Sequence, residues 1–120
     1  MKPQYKPGKN IAIKVPSHEY EKEVSFYRDI MGLEERELSS SDQYETISFN
    51  FGDKILWIDK ISGISQAEVW LEIETDDIAE AASHLEKHGV VRRDKIETLP
   101  DDFKGFWVCS PSNIIHLITE

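Results

Sequence analysis

Ile11-Ala12-Ile13-Lys14-Val15-Pro16-Ser17 and Val69-Trp70-Leu71-Glu72-Ile73-Glu74-Thr75 open two halves of the chain in the same way. Each stretch alternates apolar and polar residues, as a half-buried strand does, and ends in residues suited to start a helix. Tyr20, Val24, Tyr27 and Met31 then recur at helical spacing before Gly32. In the second half Thr75 or Asp76 can cap, Ile78, Ala82 and Leu85 form the stripe, and Gly89 ends it. Three strand-like segments follow each helix, at 33–38, 44–51 and 54–59, then at 90–97, 106–110 and 114–118. Gly52-Asp53 and residues 110–113 read as hairpin turns. The expected fold is therefore α+β, with two βαβββ modules at 9–60 and 67–120 and a linker at 60–66.

Strand alternation assigns the faces, because the face under a helix must be apolar. Ile11, Ile13 and Val15 belong under the first helix, as do Ile47, Phe49, Phe51, Leu56 and Ile58. Leu71 and Ile73 belong under the second. The other face then carries Asn10, Lys14, Tyr44, Thr46, Ser48, Asn50, Trp57 and Asp59 in one half, and Trp70, Glu72 and Glu74 in the other. Of the adjacent Phe106 and Trp107, Trp107 is assigned to that second face. A polar face with several large aromatics reads better as the wall of a wet cavity than as a plain solvated surface.

Composition removes several classes of function. The formal net charge of −9 opposes nucleic-acid binding, which needs a basic surface. No apolar run approaches the roughly 20 residues of a membrane span. The charged N-terminal stretch has no apolar segment behind it, so a signal peptide is not expected and a cytoplasmic location is. Cys109 is the sole cysteine, which excludes an intrachain disulfide or a cysteine metal cluster.

Phe26-Tyr27-Arg28-Asp29-Ile30-Met31-Gly32-Leu33 resembles the F-Y-x-D-x-L-G-L helix end of the vicinal oxygen chelate superfamily. That group includes glyoxalase I, extradiol dioxygenases, fosfomycin-modifying enzymes and bleomycin-resistance proteins. Asp76-Asp77-Ile78 is similar to its second helix start, and Ser110-Pro111-Ser112-Asn113 to its D-P-D-G turn, with the aspartates replaced by serine and the glycine by Asn113. The resemblance implies curved mixed sheets around a ligand cavity, modules paired within one chain or across a homodimer, and a divalent metal held by His, Gln or Glu on the first and last strand of each module. Carried over in register, those metal positions are Asn10, Trp57, Trp70 and His116, with a turn before the last that is one residue shorter than the family pattern. Tryptophan has no lone pair to offer a metal, so two positions are disabled. A metal cofactor is therefore not expected. Glu72, Glu74, Asp59 and His116 remain as a conceivable substitute set.

Other chemistry is weaker. His84 and His88 stand at i, i+4 but off the apolar stripe, as on a solvated helix face. Cys109 and His116 fall on neighbouring strands, yet a small buried strand residue is the simpler reading of Cys109. Glu72 and Glu74, about 7 Å apart along a strand, fit charge balance with Lys14 or ligand recognition better than paired acid–base catalysis. The sequence thus points to a metal-free protein that sequesters or senses a small aromatic or cationic compound. Its expected binding residues are Asn10, Lys14, Tyr44, Ser48, Trp57, Trp70, Glu72, Glu74, Trp107 and His116, with His116 the one catalytic candidate. The rival reading is a lyase or dioxygenase with a rearranged divalent-metal site.

Overall fold

The computed structural model describes residues 2–37 and 43–120. The elements are β1 (Tyr5–Pro7), β2 (Asn10–Pro16), a 3₁₀ turn (Ser17–Glu19), α1 (Tyr20–Ser25), a wide helical turn (Phe26–Ile30), β3 (Thr46–Phe51), β4 (Lys54–Ile61), β5 (Glu68–Thr75), α2 (Ile78–Lys87), β6 (Val91–Arg92), β7 (Gly105–Cys109) and β8 (Ile115–Thr119). The protein is α+β, and strand–helix–strands order occurs twice, as expected. Two compact units result: Lys9–Val69, and Trp70–Glu120 together with the residues up to Gly8.

In the unit Lys9–Val69, β3 and β4 form a hairpin whose register runs from Thr46 opposite Asp59 to Phe51 opposite Lys54. Gly52 at the tip has φ 66°, a conformation only glycine adopts freely. β2 runs parallel to β4 with Asn10 beside Ile55 and Lys14 beside Asp59. A parallel pair needs a crossover, and the helix supplies it. Its face packs Tyr20 and Val24 onto Val15, Phe49, Leu56 and Ile58, with Ile11, Ile13, Tyr27, Leu33 and Ile47 around them.

Met31 departs from the expected stripe. The amide of Met31 donates to Phe26 O over a five-residue span (2.9 Å), and that of Leu33 donates to Tyr27 O (2.9 Å) across left-handed Gly32. The wider turn rotates Met31 outward, to 57% exposure, and Leu33 packs in its place. The strand expected at 33–38 shrinks to one bridge, Glu35 opposite Phe49, flanked by Arg36 N to Ser48 O and Asn50 N to Glu34 O; Leu38 lies outside the described residues.

In the other unit β5 pairs in parallel with β8, β8 antiparallel with β7, and β7 antiparallel with the two-residue β6. The expected strand at 90–97 is thus cut to Val91 and Arg92. The N-terminal residues, given no element by the sequence, form β1 and pair antiparallel with β5. Asp77, not Thr75 or Asp76, caps α2: its Oδ1 accepts from Glu80 N at 3.0 Å. Gly89 (φ 74°) closes the helix while Val90 N donates to Leu85 O. Ala81 of α2 packs with Phe106, Val108 and Ile118, and Tyr5, Ile73, Ile78, Leu85 and Val90 surround them. The β7–β8 turn carries Asn113 at φ 64°, the left-handed role given to it by the sequence.

Candidate functional site

The non-helix face of the unit Lys9–Val69 gathers five of the expected residues. Lys14 and Asp59, register neighbours on β2 and β4, form an ion pair of 2.8 Å with each residue only 3% exposed. The Thr46 hydroxyl donates to the other Asp59 carboxylate oxygen and approaches Ile58 O at 3.1 Å. Lys14 Nζ also donates to the Tyr44 hydroxyl at 3.1 Å and sits 4.8 Å from that ring's centre. These contacts satisfy charges whose isolated burial would be prohibitive. Ser48, buried, lies beside Trp57 in register. The half-buried Trp57 indole donates its N–H to Asn10 Oδ1 at 2.8 Å.

Sequence reasoning missed the part of Asp59 and Thr46 in this network. The signal was present: Lys14, Asp59 and Thr46 fall on the same face by alternation, and a lysine there needs a carboxylate in reach.

The other unit presents a different set. Register puts Trp70, Glu72 and Glu74 on the face of Trp107 and Leu117, and Phe106 under the helix, as the alternation foretold. Trp70 and Trp107 meet edge to face with centres 5.2 Å apart, and they are 9% and 6% exposed. The Trp107 indole donates to Glu97 O at 3.0 Å. Glu74 faces Lys6 of β1 at 4.0 Å. Glu72 folds its side chain over Gly8, where even a Cβ would overlap its Cγ.

His116 does not join this face. It pairs with Val108 and Leu71 in register, so it shares the helix-covered side with Val108 and Ile118, while Leu117 occupies the side of Trp107 and Glu72. One residue fewer in the preceding turn moves every following side chain to the opposite face. His116 Nδ1 is bound to Ile114 O at 2.9 Å, and Cys109 stands opposite Ile115, so the two are not arranged as nucleophile and base.

On α2, His84 is half-buried rather than solvated: its Nδ1 lies 2.8 Å from the Tyr5 hydroxyl. Loss of solvation, then the charges of His88, Lys2 and Lys87, hold His84 below the ordinary imidazole range. Burial, then Glu45 and three further carboxylates, pushes the Tyr20 hydroxyl up to about 12.

No family model matches the chain, and no curated protein matches its sequence. Solved structures do match. The chain is similar to the Mn(II)-bound glyoxalase from Novosphingobium aromaticivorans (TM-score 0.68, 14% identity), covering 98% of this chain but only 39% of that one. It is similar over 97% of its length to a hypothetical protein from Bacillus halodurans C-125 (TM-score 0.67, 15% identity, 94% of that chain). A glyoxalase/bleomycin resistance protein/dioxygenase superfamily member from Vibrio splendidus 12B01 matches 90% of this chain and 95% of its own (TM-score 0.60, 14% identity). The chain has the fold of the vicinal oxygen chelate superfamily.

The metal that this fold implies can be tested against the residues present. Among the described residues no group of three or more His, Cys, Asp and Glu side chains could hold a metal ion. Of the four register positions, two are tryptophans, one is an asparagine whose carbonyl oxygen accepts the Trp57 N–H, and the fourth points under the helix. These residues do not fit the family's metal set. Among the described residues no helix is long and apolar enough to cross a membrane.

Proposed function

We propose that this chain binds a small aromatic or cationic compound without a metal, as a sequestering or sensing protein of the glyoxalase/bleomycin-resistance type. The observation that carries the reading is the Trp57–Asn10 hydrogen bond of 2.8 Å. It joins two positions that would each hold the metal in the family pattern and uses the carbonyl oxygen that Asn10 would otherwise offer. Rings replace ligands: Tyr44 and Trp57 on one face, Trp70 and Trp107 on the other. Glu72, Glu74 and a net charge of −9 favour a cation over an anion. Asn10, Lys14, Ser48, Glu72 and Glu74 supply the polar contacts. A homodimer and a cytoplasmic location belong to the same proposal, and sedimentation of the purified protein checks the first.

Fluorescence titration with benzyltrimethylammonium and with 1-naphthol tests the binding. Saturable quenching is expected, with Trp57→Phe weakening it by about 2- to 30-fold, the range one cation–π or stacking contact supplies. No saturable quenching by either compound would contradict the proposal. The rival lyase or dioxygenase reading draws on the likeness to a manganese-bound glyoxalase. It would need Glu72, Glu74, Asp59 or His116 as ligands, and Asp59 is already paired with Lys14.

A further inference from the structure

The two units cover their sheets unequally. Under α1 and the turn that follows it, Tyr20, Val24 and Tyr27 meet Phe49, Leu56 and Ile58, and Phe49 and Ile58 retain no exposure. Under α2 the helix contributes Ile78, Ala81, Ala82 and Leu85, with no ring. Beyond its end β6 provides only two residues. Protein interiors pack like organic crystals, so this shortage of side-chain volume leaves space. A cavity of about 620 Å³ opens there, lined by Leu85, Val90, Val108 and Ile118, with His88 and His116 among its polar groups. Its size lies within the roughly 300–1,000 Å³ of small-molecule sites.

We infer that this helix-side cavity is a second binding site, for a small neutral molecule with an apolar body and one hydroxyl, such as an alkylphenol. The lining fixes the class. It contains no Asp, Glu, Lys or Arg, so a permanently charged ligand would lose its hydration without a counter-charge. His88 Nδ1 lies 2.9 Å from His84 O, and His116 Nδ1 lies 2.9 Å from Ile114 O. A carbonyl only accepts, so each Nδ1 is the donor of its pair, and the tautomer with the proton there has its lone pair on Nε2. The two imidazoles therefore offer acceptors beside the Ser110 and Asn113 side chains, a mixture that suits one hydroxyl, which both donates and accepts. Aliphatic walls accept the rest of the molecule, as dry apolar cavities accept benzene. The site is independent of the proposed function, since Trp70 and Trp107 occupy the opposite face of the same sheet.

Methyl NMR of the full chain, titrated with 4-propylphenol and with propylbenzene, tests it. Saturable shifts are expected at the methyls of Leu85, Val90, Val108 and Ile118, and not at those of Leu56 and Ile58. The phenol should bind about 2- to 10-fold more tightly than the hydrocarbon, the yield of one hydrogen bond. His116→Phe should shrink that ratio, and Val90→Phe should abolish the shifts while Leu56 and Ile58 keep their native positions. If Val90→Phe does not fold, Val108→Leu serves as the milder filling variant. Absence of shifts with both compounds, or shifts centred on the tryptophan rings, overturns the site. Equal affinities for the two compounds overturn its recognition of a hydroxyl. None of these results bears on quenching of Trp57.

Discussion

The two units share an order of elements but hold themselves together differently. Lys9–Val69 is filled under its helix by rings and branched chains, while its other face carries the buried Lys14–Asp59–Thr46–Tyr44 network beside Trp57 and Asn10. The unit holding Trp70–Glu120 meets its sheet with the small Ala81 and Ala82 of its helix, has a cavity beyond the helix end, and carries carboxylates with a tryptophan pair on the opposite face. The pattern of apolar and polar positions sets the layers. Side-chain volume and charge pairing decide whether a layer is closed or receptive.

The largest expected effect falls on the buried ion pair of Lys9–Val69. Asp59→Asn leaves the Lys14 ammonium buried without its counter-charge and should cost about 3–5 kcal/mol in chemical denaturation. The double variant Lys14→Met with Asp59→Leu should recover most of that loss, since an apolar pair of similar size does not strand a charge. If Asp59→Asn changes the midpoint no more than a surface substitution does, the network has been misjudged.

Next in size is a paired enlargement under the two helices. Val24→Phe forces a ring into filled space and should destabilise by about 1–3 kcal/mol. Val90→Phe enters the open layer and should cost less than about 1 kcal/mol, with its ring directed into the cavity. Equal losses would mean that the two layers are equally tight.

The smallest effects are in the pH dependence of stability, and they differ in sign between the units. Tyr20 keeps its proton to about pH 12 in the folded chain, whereas an unfolded tyrosine releases it near 10. Stability should therefore fall as pH rises beyond about 10, and Tyr20→Phe should flatten that limb. His84 is held below its ordinary value, so the unfolded chain binds protons first as pH falls. Stability should fall below about pH 6.5, and His84→Asn should flatten that limb instead. Thermal melts across both ranges check the two slopes.

Much of this fold was legible because its rules are local. Alternation placed Ile11, Ile13 and Val15 under one helix and sorted Phe106 from Trp107, and Gly32, Gly89 and Asn113 marked chain reversals that need left-handed backbone. What failed depended on a count of residues or on distant pairing. A five-residue hydrogen-bonded turn swung Met31 out, a shortened hairpin turned His116 under the helix, and β1 formed only because β5 offered an edge. The strands expected at 33–38 and 90–97 had apolar patterns but found pairing over one bridge and two residues. For the site, residue types were readable while their partners were not. Nothing local to Trp57 says that its N–H will seek Asn10.

Metal-free binding, as proposed, requires that the metal positions of the family pattern have been given over to an indole–amide pair and to apolar residues. Elemental analysis of protein purified without chelator tests it most directly, read alongside the Trp57→Phe variant prepared in the same way. Divalent metal far below one ion per chain is expected in both. Stoichiometric manganese, iron, nickel or zinc in the natural sequence would contradict it.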